Sequence, residues 1–187
     1  MNTTTIILLV IVALIVIAAI YIVSTRNSLV VLRNRAQDQL SQIDVQLKRR
    51  FDLIPNLVET IKGYAKHEKD TLESVVSARN SYLSANGTED QLKADGELTK
   101  AVNKLFALAE SYPDLKANEN FLNLQNELSA TEEKIMYARQ FYNDSVLNLN
   151  NKIELFPSNL VASMFGFKKE KFFEASQAEK ENVSVKF

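Results

Sequence analysis

The sequence contains no cysteine and only one histidine, His67. Without a cysteine, the chain has no disulfide, no thiol nucleophile and no site for lipid attachment after signal cleavage. His67 lies between Lys66 and Glu68, without the second histidine that a zinc-protease helix needs. A di-iron bundle site needs a glutamate three residues before the histidine, and that position is a tyrosine, Tyr64. A lone histidine among charged residues is typical of a solvated surface. We therefore predict no metal, no cofactor and no enzymatic activity.

Turn-forming residues are also scarce, because the whole chain has 4 glycines and 3 prolines. So few turn residues argue against strands joined by hairpins and favour a few long helices. The 22 basic and 23 acidic residues nearly cancel, so the chain lacks the basic excess of a nucleic-acid-binding surface. About 160 residues beyond the apolar N-terminal run suit one domain.

The apolar run Ile6 to Val23 contains no charged residue. Its roughly 18 residues make a helix of about 27 Å, close to the thickness of a bilayer core of about 30 Å. A cleaved signal would have a basic start and a shorter core, yet Met1 to Thr5 carry no lysine or arginine. A buried core helix usually shows some polar position, and this run shows none. We predict a retained transmembrane helix over residues 6–23, after a short extracytoplasmic tail over residues 1–5.

Basic residues follow the span, and none precedes it. They outnumber the acidic residues Asp38 and Asp44 of the same stretch. The basic residues are Arg26, Arg33, Arg35, Lys48, Arg49 and Arg50. Because basic flanks tend to stay cytoplasmic, the sequence predicts a single-pass membrane protein with its N-terminus outside and its C-terminal domain in the cytoplasm.

Apolar residues at steps of three, four or seven predict the helices of the soluble part. A first stripe runs from Leu29 to Tyr82, and Pro55 is expected to kink that helical arm or to open a new helix. The turn Asn86-Gly87 ends the arm. Further helices are expected over residues 96–111 and 121–153, and a short one begins at Ser158, which is expected to cap it.

The predicted fold is all-α. The transmembrane helix is followed, over residues 26–167, by an antiparallel up-and-down bundle of about four long helices. Residues 168–187 are expected to form a mixed-charge C-terminal tail that trails into solvent.

Four strings follow the single span: Ser41 to Arg50 with Asp52 to Val58, Ser111 to Asn118, Phe121 to Gln125, and Ala138 to Asn143. In this order they resemble the LemA family of bacterial membrane proteins. The similarity covers about residues 21–173. Many relatives carry a large aromatic residue at the position of Leu40, where this chain departs from the family. The resemblance implies an N-terminal anchor with the N-terminus outside, a cytoplasmic helical bundle and no assigned biochemical activity.

Two clusters are candidates for interaction. The first is the basic string Lys48, Arg49 and Arg50. It could bind anionic lipid headgroups or an acidic partner, and the alternative is a solvated helix face that supplies salt bridges. Tyr112 lies in a loop where Asp114 or Asn118 can cap the next helix, and the loop is either structural or a docking loop for a partner.

The C-terminal aromatic segment is the third candidate. In this segment phenylalanine stands beside lysine, which suits either a flap over the open end of a bundle or contact with the bilayer interface: the residues are Phe165, Phe167, Lys168 and Lys169. We favour the flap.

These features predict a membrane-anchored scaffold or adaptor of the bacterial envelope. Its expected partners are the membrane, through the span, and copies of itself or other envelope proteins, but no nucleic acid and no small-molecule substrate. The alternative is a modulator of the membrane surface that acts through the aromatic and basic C-terminal segment.

Overall fold

The structure, a computed structural model, describes residues 2–85 and 88–173, with only the backbone of residues 88, 89, 91 and 92. Its helices are α1 (Thr3–Tyr64), α2 (Lys69–Ser84), α3 (Thr88–Ala109), α4 (Pro113–Lys116), α5 (Glu119–Glu154) and α6 (Ser158–Met164). These described ranges contain no strand, and the all-α prediction is confirmed. The Asn86-Gly87 turn and residues 174–187 of the predicted tail lie outside the described residues.

The apolar run forms the first part of α1, which is long and apolar enough to cross a membrane. No residue between Ile6 and Val23 is buried. A core helix of a soluble protein would be covered by other elements, so the buried-core alternative is wrong for this chain. The helix continues past Val23 without a break to Tyr64.

Contacts divide the chain into two compact units. The described part of the first unit is residues 2–43 and Tyr137–Phe173, and that of the second is Asp44–Met136 without residues 86 and 87. In the first unit, Leu29 of α1, Leu149 of α5 and Ala162 of α6 form a buried apolar cluster. In the second unit, the fully buried apolar side chains include Ile54, Leu57, Ile61, Val75, Leu98, Leu105, Leu115, Leu128 and Ile135. Burying each such side chain contributes roughly 1.5–3 kcal/mol.

Prediction of the first arm was wrong about where the helix ends. Pro55 lies inside α1, which ends at Tyr64, and α2 begins at Lys69. The break therefore falls on residues 65–68, where the Glu68 N–H donates to the carbonyl of Ala65. Gly63 lowers helix propensity at this end, and the polar string that follows Ala65 supplies no apolar side chain to the stripe.

The other helix boundaries are closer to expectation. The helix predicted over 121–153 is α5, and the Asn118 side chain caps it, because its Oδ1 accepts the Phe121 N–H at 3.0 Å. The helix expected from residue 96 begins earlier, at Thr88. Ser158 does not cap α6: it is the first helical residue, and its hydroxyl donates to the Leu155 carbonyl at 2.8 Å.

Pro55 leaves a carbonyl without its usual helical donor. A residue at position 55 would normally donate its N–H to the carbonyl of Phe51, but proline has no N–H. Arg79 of α2 supplies the donor, because its Nε lies 3.3 Å from the Phe51 oxygen. The Tyr82 ring packs on Phe51 beside it, with ring centroids 4.2 Å apart. The proline is thus tolerated inside α1 because a second helix satisfies the freed carbonyl.

Replacing Arg79 with methionine is expected to lower the free energy of unfolding by about 1–2 kcal/mol, because the part-buried Phe51 carbonyl then loses its donor. The effect should shrink when Pro55 is also changed to alanine, since alanine at that position restores the missing N–H. Chemical denaturation of the single and double variants measures the coupling. An Arg79→Met effect of the same size in both backgrounds would contradict this role.

Candidate functional site

The basic string of residues 48–50 does not form one patch. Lys48 is exposed and pairs with Asp52 at 3.2 Å, one turn along α1. Arg49 is half-exposed and lies 3.5 Å from Glu127 of α5. Arg50 is buried, with a side chain only 1% exposed, so it is not available to a lipid headgroup or a partner. Lys48 and Arg49 thus form ion pairs on an exposed face, whereas the burial of Arg50 fits neither a binding patch nor a solvated face.

Arg50 is the centre of a buried polar cluster in the second unit. One terminal nitrogen lies 2.7 Å from Asp95 of α3, and the other lies 2.7 Å from Glu132 of α5 and 2.8 Å from the Thr99 hydroxyl. The Thr99 hydroxyl also donates to the Asp95 carbonyl at 3.0 Å. A buried guanidinium is tolerated only with such partners, since an unpaired buried charge is strongly unfavourable. The cluster fixes α1, α3 and α5 against one another within this unit.

Tyr112 lies in the loop before α4 and is tied to the loop before α2. Its hydroxyl donates to Glu68 at 3.0 Å. That hydrogen bond, together with desolvation and the negative charge of Glu68, raises the pKa of Tyr112 above its usual 10.0. Nearby, the Asn118 amide donates to the Tyr64 hydroxyl at 2.9 Å. Both contacts agree with a structural role for this loop.

The C-terminal aromatic residues lie in the first unit against α1. The Arg26 guanidinium lies 5.9 Å from the centre of the Phe165 ring, and that of Arg33 lies 5.5 Å from Phe167. Phe167 also packs on the cluster of Leu29, Leu149 and Ala162. Phe165 stays 47% exposed. Cation–π contacts of this kind contribute about 0.5–1 kcal/mol at exposed sites.

Gly166 explains why the chain turns back at this point. It adopts φ +69°, and its N–H donates to the carbonyl of Ser163, while the Phe167 N–H donates to that of Ala162. This pair of bonds is the Schellman motif that ends a helix at a left-handed residue, for which glycine is favoured. The motif brings Phe167 into contact with Ala162, so the end of α6 positions the Phe167 ring on the buried cluster.

The residues after Phe167 pack along α5 instead of trailing into solvent. Asn150 both donates to and accepts from the backbone of Glu170, at 2.9 and 3.0 Å. Asn143 does the same with Phe173, at 2.9 and 2.7 Å. The Tyr142 hydroxyl donates to the Lys171 carbonyl at 3.0 Å. The expectation of a solvated tail is therefore wrong for residues 168–173.

Sequence reasoning missed these two asparagines. Their positions gave a signal, because residues 143, 146, 150 and 153 continue the apolar stripe of α5 and two of the four are asparagine. A polar residue on a buried stripe needs a hydrogen-bonding partner. The side chains of Lys168 and Lys169 are exposed, and Lys169 forms an ion pair with Glu154.

An exposed apolar surface occupies the turn from α5 to α6. We call it the apolar corner, and its side chains are 47–79% exposed: Leu155, Phe156, Leu160, Met164 and Phe165. The opposite face of α6, with Val161 and Ala162, is buried. Through Phe165 and Arg26, the corner lies beside the part of α1 that immediately follows the apolar run. Within the described residues, no group of three or more acidic, histidine or cysteine side chains could hold a metal ion.

Comparison with known proteins places these features in a family. The model of the LemA family matches residues 39–187. The chain is 29% identical over 167 residues to Protein LemA of Metamycoplasma hominis, covering 87% of this chain and 75% of that protein. It is 25% identical over 178 residues to Magnetosome protein MamQ 2 of Paramagnetospirillum magneticum and to Magnetosome protein MamQ of Magnetospirillum gryphiswaldense, covering 81% of this chain in each case. The chain spans 65% of the length of both magnetosome proteins.

Proposed function

This chain belongs to the LemA family, and from that premise we propose that it is a membrane-anchored helical scaffold or adaptor of the bacterial envelope. The N-terminal part of α1 is the anchor, and the helices beyond it bind a second copy of the chain or another envelope protein. No catalytic role is part of the proposal. The family match and the long apolar helix support association with a membrane.

The proposed topology puts the N-terminus outside the inner membrane and the remaining helices in the cytoplasm. Arg26, Arg33 and Arg35 support it, because they follow the apolar run closely while no basic residue precedes it. The up-and-down packing of about four long helices is also part of the proposal. The contact of α2 with α3 across a short connection supports that packing.

The observation that carries the scaffold is an exposed aromatic stripe on α5. Tyr137 and Phe141 lie one turn apart and are 47% and 56% exposed, while Ala138 and Val146 of the same helix are buried. A helix with apolar side chains on its outer face as well as its inner face has a surface that a partner helix can cover. We therefore assign this stripe to protein contact.

The scaffold is tested by the size of the purified full-length protein in detergent. We expect an assembly heavier than the 21.1 kDa protomer, and we expect Phe141→Ser to weaken it. Leu83→Ser, at an exposed apolar position of similar exposure in α2, is the matched control. A strictly monomeric wild-type protein would contradict self-association, and partner capture in cells would then have to carry the proposal.

A second function is favoured by the apolar corner, namely direct contact with the membrane surface. The corner neighbours the residues that follow the anchor, and Lys168 and Lys169 are exposed. Aromatic and aliphatic side chains beside lysines are the composition of surfaces that lie in the headgroup region. Each lysine near an anionic surface contributes about 1 kcal/mol.

The chain has no tryptophan, so one introduced indole reports its own surroundings. Phe156→Trp in the full-length protein, reconstituted in anionic vesicles, is expected to show blue-shifted emission and strong quenching by brominated lipids. Leu83→Trp, at an exposed position of α2 outside the aromatic stripe, is the control and is expected to emit as a solvated indole. Equal quenching of the two variants, or no quenching of the Phe156→Trp variant, would rule out membrane contact by the corner.

A further inference from the structure

Helix α5 holds the C-terminal segment by its backbone. Asn150 and Asn143 each make two hydrogen bonds to one residue, using the amide nitrogen as donor to a carbonyl and the amide oxygen as acceptor from an N–H. A side-chain amide used in this way supplies the donor and the acceptor that a neighbouring β-strand would offer to the backbone of an extended chain. We call these two side chains the asparagine clamp.

The spacing of the clamp fits an extended peptide. Asn143 and Asn150 are seven residues apart, which is about 10.5 Å along a helix. Their partners, Phe173 and Glu170, are three residues apart, and three extended residues span about 10 Å. The two distances agree, so both amides pair with the same peptide at once.

Aromatic anchors lie at the two ends of the bound segment. Phe167 packs on the buried cluster that includes Leu29 and under the Arg33 guanidinium. Phe173 lies 4.8 Å from the Arg139 guanidinium and meets the Tyr142 ring edge to face at 6.4 Å. The side chains of residues 168–172 between them are exposed. Recognition therefore depends on two phenylalanines six residues apart and on the backbone between them.

We propose that α5, with the adjoining surface of α1, is a binding site for an extended peptide of this pattern. Residues 167–173 of the chain occupy it as an exchangeable ligand, and the same segment of a second copy is its partner in trans. Residues 167–173 of a second copy can make the same contacts with α5 as the chain's own segment. Exchange of the segment between copies therefore needs no new interactions and depends on protein concentration. The site is a function beyond the scaffold role, since it would bind peptide whether or not the aromatic stripe of α5 binds a partner.

The test uses the full-length protein in detergent and a labelled peptide with the sequence of residues 165–173. The variant Phe167→Ser with Phe173→Ser removes the anchors of the resident segment but keeps the clamp. We expect it to bind the peptide at least tenfold more tightly than wild type, because the site is vacated. Adding Asn150→Asp, which replaces a donor with a carboxylate facing the Glu170 carbonyl, should weaken that binding at least tenfold.

Two controls separate backbone recognition from apolar adhesion. Asn148→Asp, on an exposed position of the same helix, should leave binding unchanged. A peptide with methylated amide nitrogens at the positions of Glu170 and Phe173 should not bind, because it has lost both donors. The proposed site would be overturned if the Phe167→Ser with Phe173→Ser variant stays helical and does not bind the peptide. It would also be overturned if neither Asn150→Asp nor amide methylation of the peptide weakens binding. If the Phe167→Ser with Phe173→Ser variant loses helicity, the two peptides are compared on the wild-type protein. The unmodified peptide should then bind, and the amide-methylated peptide should not compete with it.

The partner in trans is tested by mixing two full-length copies, one isotopically heavy and one carrying photoreactive benzoylphenylalanine at position 173. We expect crosslinks from position 173 of the photoreactive copy to α5 of the isotopically heavy copy. The yield of these crosslinks should rise with protein concentration. Crosslinks confined to the same copy would overturn the exchange while leaving the peptide site itself in place.

Discussion

Replacing Arg50 with leucine is expected to lower the free energy of unfolding by about 3–5 kcal/mol. The substitution removes the cation from a cluster in which the side chains of Arg50 and Asp95 are 1% and 8% exposed. Asp95 then stays in a largely water-free site without its 2.7 Å partner, and the loss of one member of a buried ion pair has an effect of this size. Glu132 is 41% exposed, so water can hydrate its carboxylate once Arg50 is removed. The lost Glu132 contact therefore lowers the free energy of unfolding by less than the lost Asp95 contact.

The neighbouring residues of the same string supply matched controls. Lys48→Leu and Arg49→Leu remove the same charge from exposed ion pairs and are expected to change stability by less than about 1 kcal/mol. The double variant Arg50→Leu with Asp95→Leu should recover much of the loss, because the buried ion pair is then removed as a unit. Denaturant titration followed by circular dichroism measures all four. An Arg50→Leu effect no larger than that of Lys48→Leu would contradict the buried cluster.

Arginines in the middle of the apolar run are expected to release the chain from the membrane. An arginine near the centre of a spanning helix makes insertion less favourable by about 2.5–3.5 kcal/mol, so Ile11→Arg with Ile15→Arg adds about 5–7 kcal/mol. We expect most of the doubly substituted protein to move from the membrane pellet to the soluble fraction of lysed cells. Carbonate extraction and immunodetection measure the shift.

A matched control places arginine on an exposed apolar position outside the run. Val45 is 58% exposed in α1, and Val45→Arg is expected to leave the protein in the membrane fraction. Retention of the Ile11→Arg and Ile15→Arg variant in carbonate-washed membranes would show that the run is not the anchor. Such a result would direct attention to the apolar corner as the membrane contact.

Periodicity of the sequence predicted the helices well, because spacing reports which side chains can share a face. It located α5 to within two residues at each end, and composition alone identified the apolar run. It placed no break between Pro55 and Tyr82, whereas α1 ends at Tyr64, and it did not predict what permits Pro55 inside the helix, because the donor, Arg79, comes from a different helix. Local sequence does not show such a partner.

The two polar sites were missed for the same physical reason. Arg50 falls on the stripe of Leu47 and Ile54, so its burial could have been inferred from spacing. Its partners could not be, because Asp95 and Glu132 come from helices 45 and more residues away, and only the packing brings them together. The asparagine clamp likewise pairs a helix with an irregular segment that has no periodicity of its own.

The scaffold is tested most directly by photo-crosslinking in living cells from benzoylphenylalanine at Phe141, Lys48, Tyr112 and Lys168, one position at a time. We predict that position 141, on the exposed aromatic stripe of α5, captures one recurrent protein, either a second copy or another envelope protein. Capture should fall sharply when the same chain carries Ile11→Arg and Ile15→Arg. A chain that is captured from none of these positions, and that is also monomeric in detergent, would contradict the scaffold.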